Sequence, residues 1–235
     1  MSFTFRQFHV NDENCAMKVG TDAVLLGAWL PDDILSAAHH AVDVGTGSGI
    51  ISLMLMQRNP ALRVTALEIE PAAALDCKSN FEHSPWGGRT RVVCGDFREY
   101  KPEEPVDLVV CNPPYFAHSL NCPGQKRNTA RHQQSLSYHT LFPVIKYWPY
   151  TKETAVALVS PFEQLNDIIF EGTLHGFHPY SVCRVSPRAG IPPNRVLILF
   201  RRSPGKCVTE QLSIRQKDNS ILTTQFQALT ATFYL

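Results

Sequence analysis

The chain has 235 residues, 44% of them hydrophobic and 18% charged, with a formal net charge of +1; this is the balance of an ordinary globular protein with one sizeable core. There is no global basic excess of the kind that marks many nucleic-acid binders, and no apolar run reaches the length of a membrane span. Seven cysteines without a CxxC pair give neither a disulfide framework nor a zinc site, and the stretch from Met1 to Arg6 lacks a secretory signal core, so the expectation is a cytoplasmic protein with reduced thiols and no metal.

In chain order, residues 1–38 read as an N-terminal extension ahead of a core spanning 39–235, the whole forming a single domain. Phe3, Phe5 and Phe8 alternate roughly as in a short strand, and Lys18 to Trp29 reads as a turn entering a helix, capped by Thr21 or Asp22 and ended by Pro31. His39 to Val44 is the first core strand. Gly45-Thr46-Gly47-Ser48-Gly49 follows at once, then an apolar helix from Ile50 to about Arg58. Strand, glycine-rich turn and helix form the start of a nucleotide-binding α/β unit, with Asp43 just before the turn. The spacing is not the GxGxxG of nicotinamide enzymes, and a P-loop lysine is lacking.

The second strand, Arg63 to Leu67, ends on Glu68, placed about 20 residues past the loop as the acid of a ribose site should be. Pro71 opens a helix running to about Phe81, and a third strand, Arg91 to Cys94, ends in Gly95-Asp96-Phe97. There an acid and an aromatic are placed to hold an adenine, although Asp96 would serve equally as a turn cap. Further on, the pattern predicts a helix from Tyr138 to Tyr147, a strand from Thr154 to Val159 and a helix from Pro161 to about His175. An antiparallel strand pair, Pro179 to Val185 and Arg195 to Arg201, comes next, then one more short strand and a terminal amphipathic segment.

The fourth strand, Val106 to Cys111, stops at Asn112-Pro113-Pro114-Tyr115. The prolines end the ladder and leave a rigid cluster of one amide, free carbonyls and a ring at the sheet edge where α/β proteins bind ligands. Such a cluster suits the capture of an amino group on a flat ring. The Asn112 oxygen and the Pro113 carbonyl are placed to accept its two N–H groups, and the Tyr115 ring to stack on the base. As a short motif the tetrapeptide is also compatible with a plain turn.

Charge is distributed unevenly. His118 to Lys152 contains no acid but includes Lys126, Arg127 and Arg131; from Arg184 to Lys217 only Glu210 opposes a set of basic residues that includes Arg188 and Arg195. A one-sided distribution of this kind steers polyanions or is simply a solvated face.

Glycine loop, acid, Asp-aromatic pair and Asn-Pro-Pro-Tyr fall in order at one sheet edge. The pattern resembles the class I S-adenosylmethionine-dependent methyltransferases, implying a Rossmann-like α/β fold. That fold has a seven-stranded, mostly parallel sheet with an antiparallel C-terminal strand pair and helices on both faces. More narrowly, Met17 to Trp29, Asn112 to Phe116, Ala130-Arg131-His132 and the terminal Phe233-Tyr234-Leu235 resemble the bacterial tRNA(Val) adenine-N6-methyltransferase family over essentially the whole chain. That resemblance implies methyl transfer from S-adenosyl-L-methionine, leaving S-adenosyl-L-homocysteine, to N6 of the adenine 3′ to the anticodon. It also implies no metal, no membrane and no obligate protein partner. The implied cofactor residues are Lys18, Thr21, Asp43, Gly45, Thr46, Gly47, Gly49, Glu68, Ile69, Asp96, Phe97 and Asn112, with Lys18 and Thr21 near its methionine end. The target base falls to Asn112, Pro113, Pro114 and Tyr115, and the RNA to Lys126, Arg127, Arg131, Arg188 and Arg195. Three alternatives stay open: a protein-glutamine N5-methyltransferase, whose amide nitrogen poses the same problem to the tetrapeptide; N6-adenine methylation of another RNA or of DNA; and a protein that binds the cofactor without reaction.

Overall fold

The computed structural model describes residues 2–114 and 136–235. Tyr115, Lys126, Arg127 and Arg131 lie outside the described residues.

The described core is an eight-stranded sheet. Its strands are β3 (His40–Val44), β4 (Arg63–Glu68), β5 (Thr90–Cys94), β6 (Val106–Cys111), β7 (Tyr150–Pro161), β8 (His178–Arg188), β9 (Arg195–Arg201) and β10 (Val208–Arg215). They lie in the order β10-β8-β9-β7-β6-β3-β4-β5. Only β9 runs against its neighbours, β7 and β8. The fold implied by the resemblance has seven strands; the short tail strand makes the eighth, joining the sheet edge alongside β8, in parallel. A separate two-stranded ribbon, β1 (Ser2–Thr4) and β2 (His9–Asn11), takes up the N-terminal phenylalanines; Phe5 and Phe8, between the strands, stack at 4.6 Å.

Strand alternation sends side chains to two separate cores. On one face, α1 (Thr21–Trp29), α3 (Ile50–Arg58), α4 (Pro71–Glu82) and α7 (Thr224–Thr230) contribute Leu25, Met54, Phe81 and Phe226 to a cluster that also includes Ala41 and Leu197. On the other, α5 (Tyr138–Ile145) and α6 (Leu165–Leu174) pack Phe142 and Ile168 against Val42, Val109 and Ile198. β3 is buried along its whole length and therefore reads as a continuous apolar run broken only by His40 and Asp43.

Several boundaries differ from expectation for local reasons. Gly20, not Thr21 or Asp22, sits at the N-cap of α1, without a side-chain cap; Asp22 instead pairs with Arg195 at 2.9 Å. Pro31 ends one helix and at once opens another, α2 (Asp32–Ala37). Pro161 closes β7 rather than opening a helix; a 3-10 turn, Phe162–Gln164, intervenes before α6. Helix α5 stops at Ile145, two residues early, and β7 begins at Tyr150, four residues before the apolar pattern. No described helix is long and apolar enough to cross a membrane.

Candidate active site

At the carboxyl ends of β3, β4 and β6 the structure holds a cavity of about 540 Å³, within the usual range for small-molecule sites. Its wall includes Lys18, Gly45, Thr46, Gly47, Glu68, Ile69, Asn112 and Pro114, bringing together residues far apart in sequence. They meet because β3 pairs with β4 on one side and β6 on the other, so the three strand ends lie side by side.

The glycine loop is fixed by its neighbours. Gly45 and Thr46 donate their backbone N–H groups to the Leu67 carbonyl at 2.9 and 3.0 Å. Gly47 donates to Glu68 Oε2 at 2.8 Å, and Glu70 N–H donates to Glu68 Oε1 at 3.0 Å. Gly49 has φ +82°, and a Cβ there would stand 2.7 Å from the Phe81 ring, so the turn into α3 admits no side chain. Gly47, also at positive φ, has nothing within 4 Å of where a Cβ would be. The backbone at Gly47 is thus open to a ligand, and Glu68 is positioned as an acceptor beside it.

Beneath the loop, Asp43 is fully buried and does not line the cavity. Its Oδ2 accepts from Thr46 Oγ1 at 2.8 Å and Ser52 Oγ at 2.6 Å, while Oδ1 has no hydrogen-bond partner among the described residues. Burial pushes its carboxyl up to about 6, against the opposing pull of the Ser52 and Thr46 hydroxyls. Asp43 therefore braces the loop from below.

A wall that the sequence reading left largely unassigned is the arm between β2 and α1. Asn14, Ala16, Met17 and Val19 line the cavity with Lys18. Lys18 Nζ donates to the Asp12 and Glu13 carbonyls at 2.7 and 2.9 Å, so its ammonium stiffens the arm. Helix α4 holds the arm down. Asp76 accepts from Asn14 N–H at 2.7 Å and its side-chain amide at 2.9 Å, while Asn80 exchanges hydrogen bonds with the Asn11 backbone at 2.7 and 2.8 Å and donates to the Ser48 carbonyl. The signal for this was two buried polar side chains, Asp76 and Asn80, on an otherwise amphipathic helix.

Thr21, Asp96 and Phe97 are not part of the cavity wall. Asp96 takes the Arg98 guanidinium and accepts its backbone N–H at 2.9 Å; this arginine holds the Asp96 carboxyl below its usual range. Phe97 is buried in the second core with Val44 and Leu67. Among the described residues no group of three or more His, Cys, Asp or Glu is placed to hold a metal ion.

The cavity fits a nucleoside bearing an amino-acid tail. The half-buried Gly47 backbone, open on the side where a Cβ would stand, and the Glu68 carboxylate suit ribose hydroxyls, the arm closes one end, and Asn112 with Pro114 forms the wall toward the rest of the sheet edge.

A profile of the family described as Methyltransferase small domain matches residues 15–125. A tRNA1(Val) (adenine(37)-N6)-methyltransferase from Tolumonas auensis is 38% identical over 237 residues, covering 100% of this chain and 97% of that protein. One from Bacteroides fragilis is 40% identical over 238 residues, covering 99% and 97%. In fold, a predicted O-methyltransferase from Agrobacterium tumefaciens superposes with a TM-score of 0.70 at 17% identity, over 90% of this chain and 96% of that one. With relatives matched along its whole length, the chain belongs to the family of tRNA1(Val) (adenine(37)-N6)-methyltransferases, which depend on S-adenosylmethionine.

Proposed function

We propose that this protein transfers a methyl group from S-adenosyl-L-methionine to N6 of adenine 37, the adenine 3′ to the anticodon, in tRNA1(Val). The observation that carries this reading is one cavity with the Gly47–Glu68 cradle on one side and Asn112 and Pro114 on the other, in a chain matched end to end by relatives named for that activity. Those relatives are named for tRNA, so the glutamine-N5 alternative gains no support from them.

When bound, the cofactor supplies a methyl group on a positively charged sulfur. The chain's task is then largely positioning. Gly45, Gly47, Glu68, Ile69 and Lys18 would hold the cofactor at the β3–β4 end. Asn112, at the end of β6, would accept one N–H of the adenine amine, and the Pro113 carbonyl the other. Both oxygens keep the nitrogen lone pair aimed out of the ring plane and stabilise the positive charge that grows on nitrogen as it is alkylated. The proton then leaves to water, so a dedicated base is not required. Taking the adenine out of its stack costs on the order of a few kcal/mol, less in a loop than in a duplex.

The test is incubation of the protein with radiolabelled S-adenosylmethionine and total tRNA, followed by digestion to nucleosides. Label in N6-methyladenosine is expected; label in another nucleoside would overturn the assignment of the acceptor.

A further inference from the structure

On β8, Arg184, Ser186 and Arg188 share one face of the sheet, since side chains alternate along a strand and the intervening Cys183 and Val185 enter the opposite core. On the neighbouring β10, Gln211 lies beside Arg184, Ser213 beside Ser186 and Arg215 beside Arg188. Leu212 belongs to that same opposite core, so these residues face the same way as the arginines. The acid of β10, Glu210, turns to the other face, where it accepts from the Trp29 indole.

Two like charges directly opposite on adjacent strands destabilise a sheet, and Arg188 and Arg215 stand in that relation. The arginine ion pairs among the described residues belong to Arg58, Arg63, Arg91, Arg98, Arg195 and Arg201. Arg188 and Arg215 donate only to turn carbonyls of Lys217, Asn219 and Ser220, at 3.2 to 3.5 Å, among the described residues. Arg184 lies over the Phe162 ring at 5.8 Å, its Nε buried and without a hydrogen-bond partner among the described residues. Arg188 is exposed and the other two are half-buried. The arrangement is a row of cations that no carboxylate among the described residues pairs with.

This row lies at the same edge as the cavity. The register runs from Cys111 to Leu158, to Ile198, to Val182, so Asn112 is level with Cys183, and Arg184 and Arg188 lie beyond it on the carboxyl side. Strands lie about 4.8 Å apart, which puts β8 and β10 roughly 14 and 19 Å from β6. Stacked nucleotides rise about 3.4 Å each, so about four to six of them cross that span.

We propose that Arg184, Arg188 and Arg215 form a phosphate track that holds the tRNA strand flanking the target adenine. The track rests on the RNA-methyltransferase reading above. A phosphate between Arg188 and Arg215 removes their repulsion and takes guanidinium N–H groups in paired fashion. Arg195, read from sequence as part of the RNA surface, lies on the opposite face, tied to Asp22 at 2.9 Å, and is left out of the track.

The test measures tRNA methylation kinetics across a salt series for the wild type, the triple variant Arg184→Gln/Arg188→Gln/Arg215→Gln, the single variant Arg188→Glu, and Arg91→Gln as a control at the amino end of β5. Calorimetry with S-adenosylhomocysteine checks that each is folded. For the triple variant the account predicts a tRNA KM raised on the order of tenfold to a hundredfold and kcat within a few-fold. Its log–log salt slope should be shallower by about 1.4, at about 0.7 for each of two lost phosphate contacts, one at Arg184 and one shared by Arg188 and Arg215. Arg188→Glu should raise KM on its own, and Arg91→Gln should change nothing. Wild-type KM and salt slope in both the triple variant and Arg188→Glu would overturn the track while leaving the methyltransferase reading intact. Absence of N6-methyladenosine with the wild type would instead overturn that reading.

Discussion

The two ends of the sheet edge solve opposite electrostatic problems. Around β3 and β4 nearly every polar group is answered from within the chain: Glu68 by two backbone N–H groups, Asp43 by two hydroxyls, Asn80 by the arm and the loop. Around β8 and β10, Arg184, Arg188 and Arg215 have no carboxylate partner among the described residues, and Arg188 and Arg215 stand opposite one another. A preorganised pocket for a small molecule must be complete before its ligand arrives, because a loose wall would have to be ordered at the expense of affinity. A surface for a polyanion is the reverse: its charge is neutralised by the partner, and neutralising it internally would abolish steering. Asn112 stands between these two regimes, on the wall of the cavity and at the start of the path to the arginines.

The sharpest cut through this comparison is Asn112→Ala. On the proposed function it removes a partner of the reacting amine, and it takes nothing from the Gly47–Glu68 hydrogen bond. Turnover should fall by roughly 10²–10³-fold, while cofactor affinity by calorimetry stays within a few-fold. A variant whose main defect is lost cofactor binding would move Asn112 to the other side of the comparison.

Next is Glu68→Ala, which releases the Gly47 and Glu70 N–H groups and the acceptor beside the loop. Hydrogen bonds to a charged group contribute about 1.5–3 kcal/mol each, so the cofactor dissociation constant should rise at least tenfold, with the tRNA KM little changed. An unchanged dissociation constant would take Glu68 out of the cradle.

Asn80→Ala should act in the same direction but more weakly. It leaves the Asn11 N–H and the Ser48 carbonyl without their partner and loosens the arm over the cavity, a loss of about 1–3 kcal/mol shared between stability and cofactor affinity. A lowered melting temperature with cofactor affinity intact would show that α4 holds the arm for stability alone.

The smallest effect on turnover is expected from Asp43→Asn, which keeps an acceptor for Thr46 and Ser52. Its signature is in pH dependence. The Asp43 carboxyl is raised to about 6 by burial, so the native state keeps a proton that the unfolded chain, with an ordinary carboxyl near 3.9, has released. Wild-type stability therefore declines as pH rises from about 4 through about 6, by up to about 3 kcal/mol from this group. The variant should lack that decline. Parallel stability curves for the two proteins would contradict the raised carboxyl.

The sheet's centre was legible in the sequence and its margins were not. β6 and β9 keep the expected bounds, and β3 and β4 shift by one residue, because strands buried on both faces, the parallel β3, β4 and β6 and the antiparallel β9 alike, are continuous apolar runs bounded by Gly, Pro or charge. That the loop, Glu68 and Asn112 meet at one cavity was readable because each follows the carboxyl end of a neighbouring parallel strand. The arm was harder: residues 12–19 have no periodicity, and their place is fixed by Asp76 and Asn80, more than 60 residues away. Asp96 and Phe97 show the converse, a plausible pair of types whose side chains are used locally, one by Arg98 and one by the core. The proposed RNA surface was legible as charge but not as geometry. Only strand register separates Arg188, which faces Arg215, from Arg195, which turns to Asp22.

The most direct test of the central claim is to map the methyl group by mass spectrometry of nuclease fragments of tRNA1(Val) after exposure to the wild-type protein and S-adenosylmethionine. The account predicts a single added methyl, on N6 of the adenine 3′ to the anticodon, absent when Asn112→Ala replaces the wild type over the same short incubation. A methyl group at any other position, or an unmodified tRNA alongside a labelled protein glutamine, would contradict it.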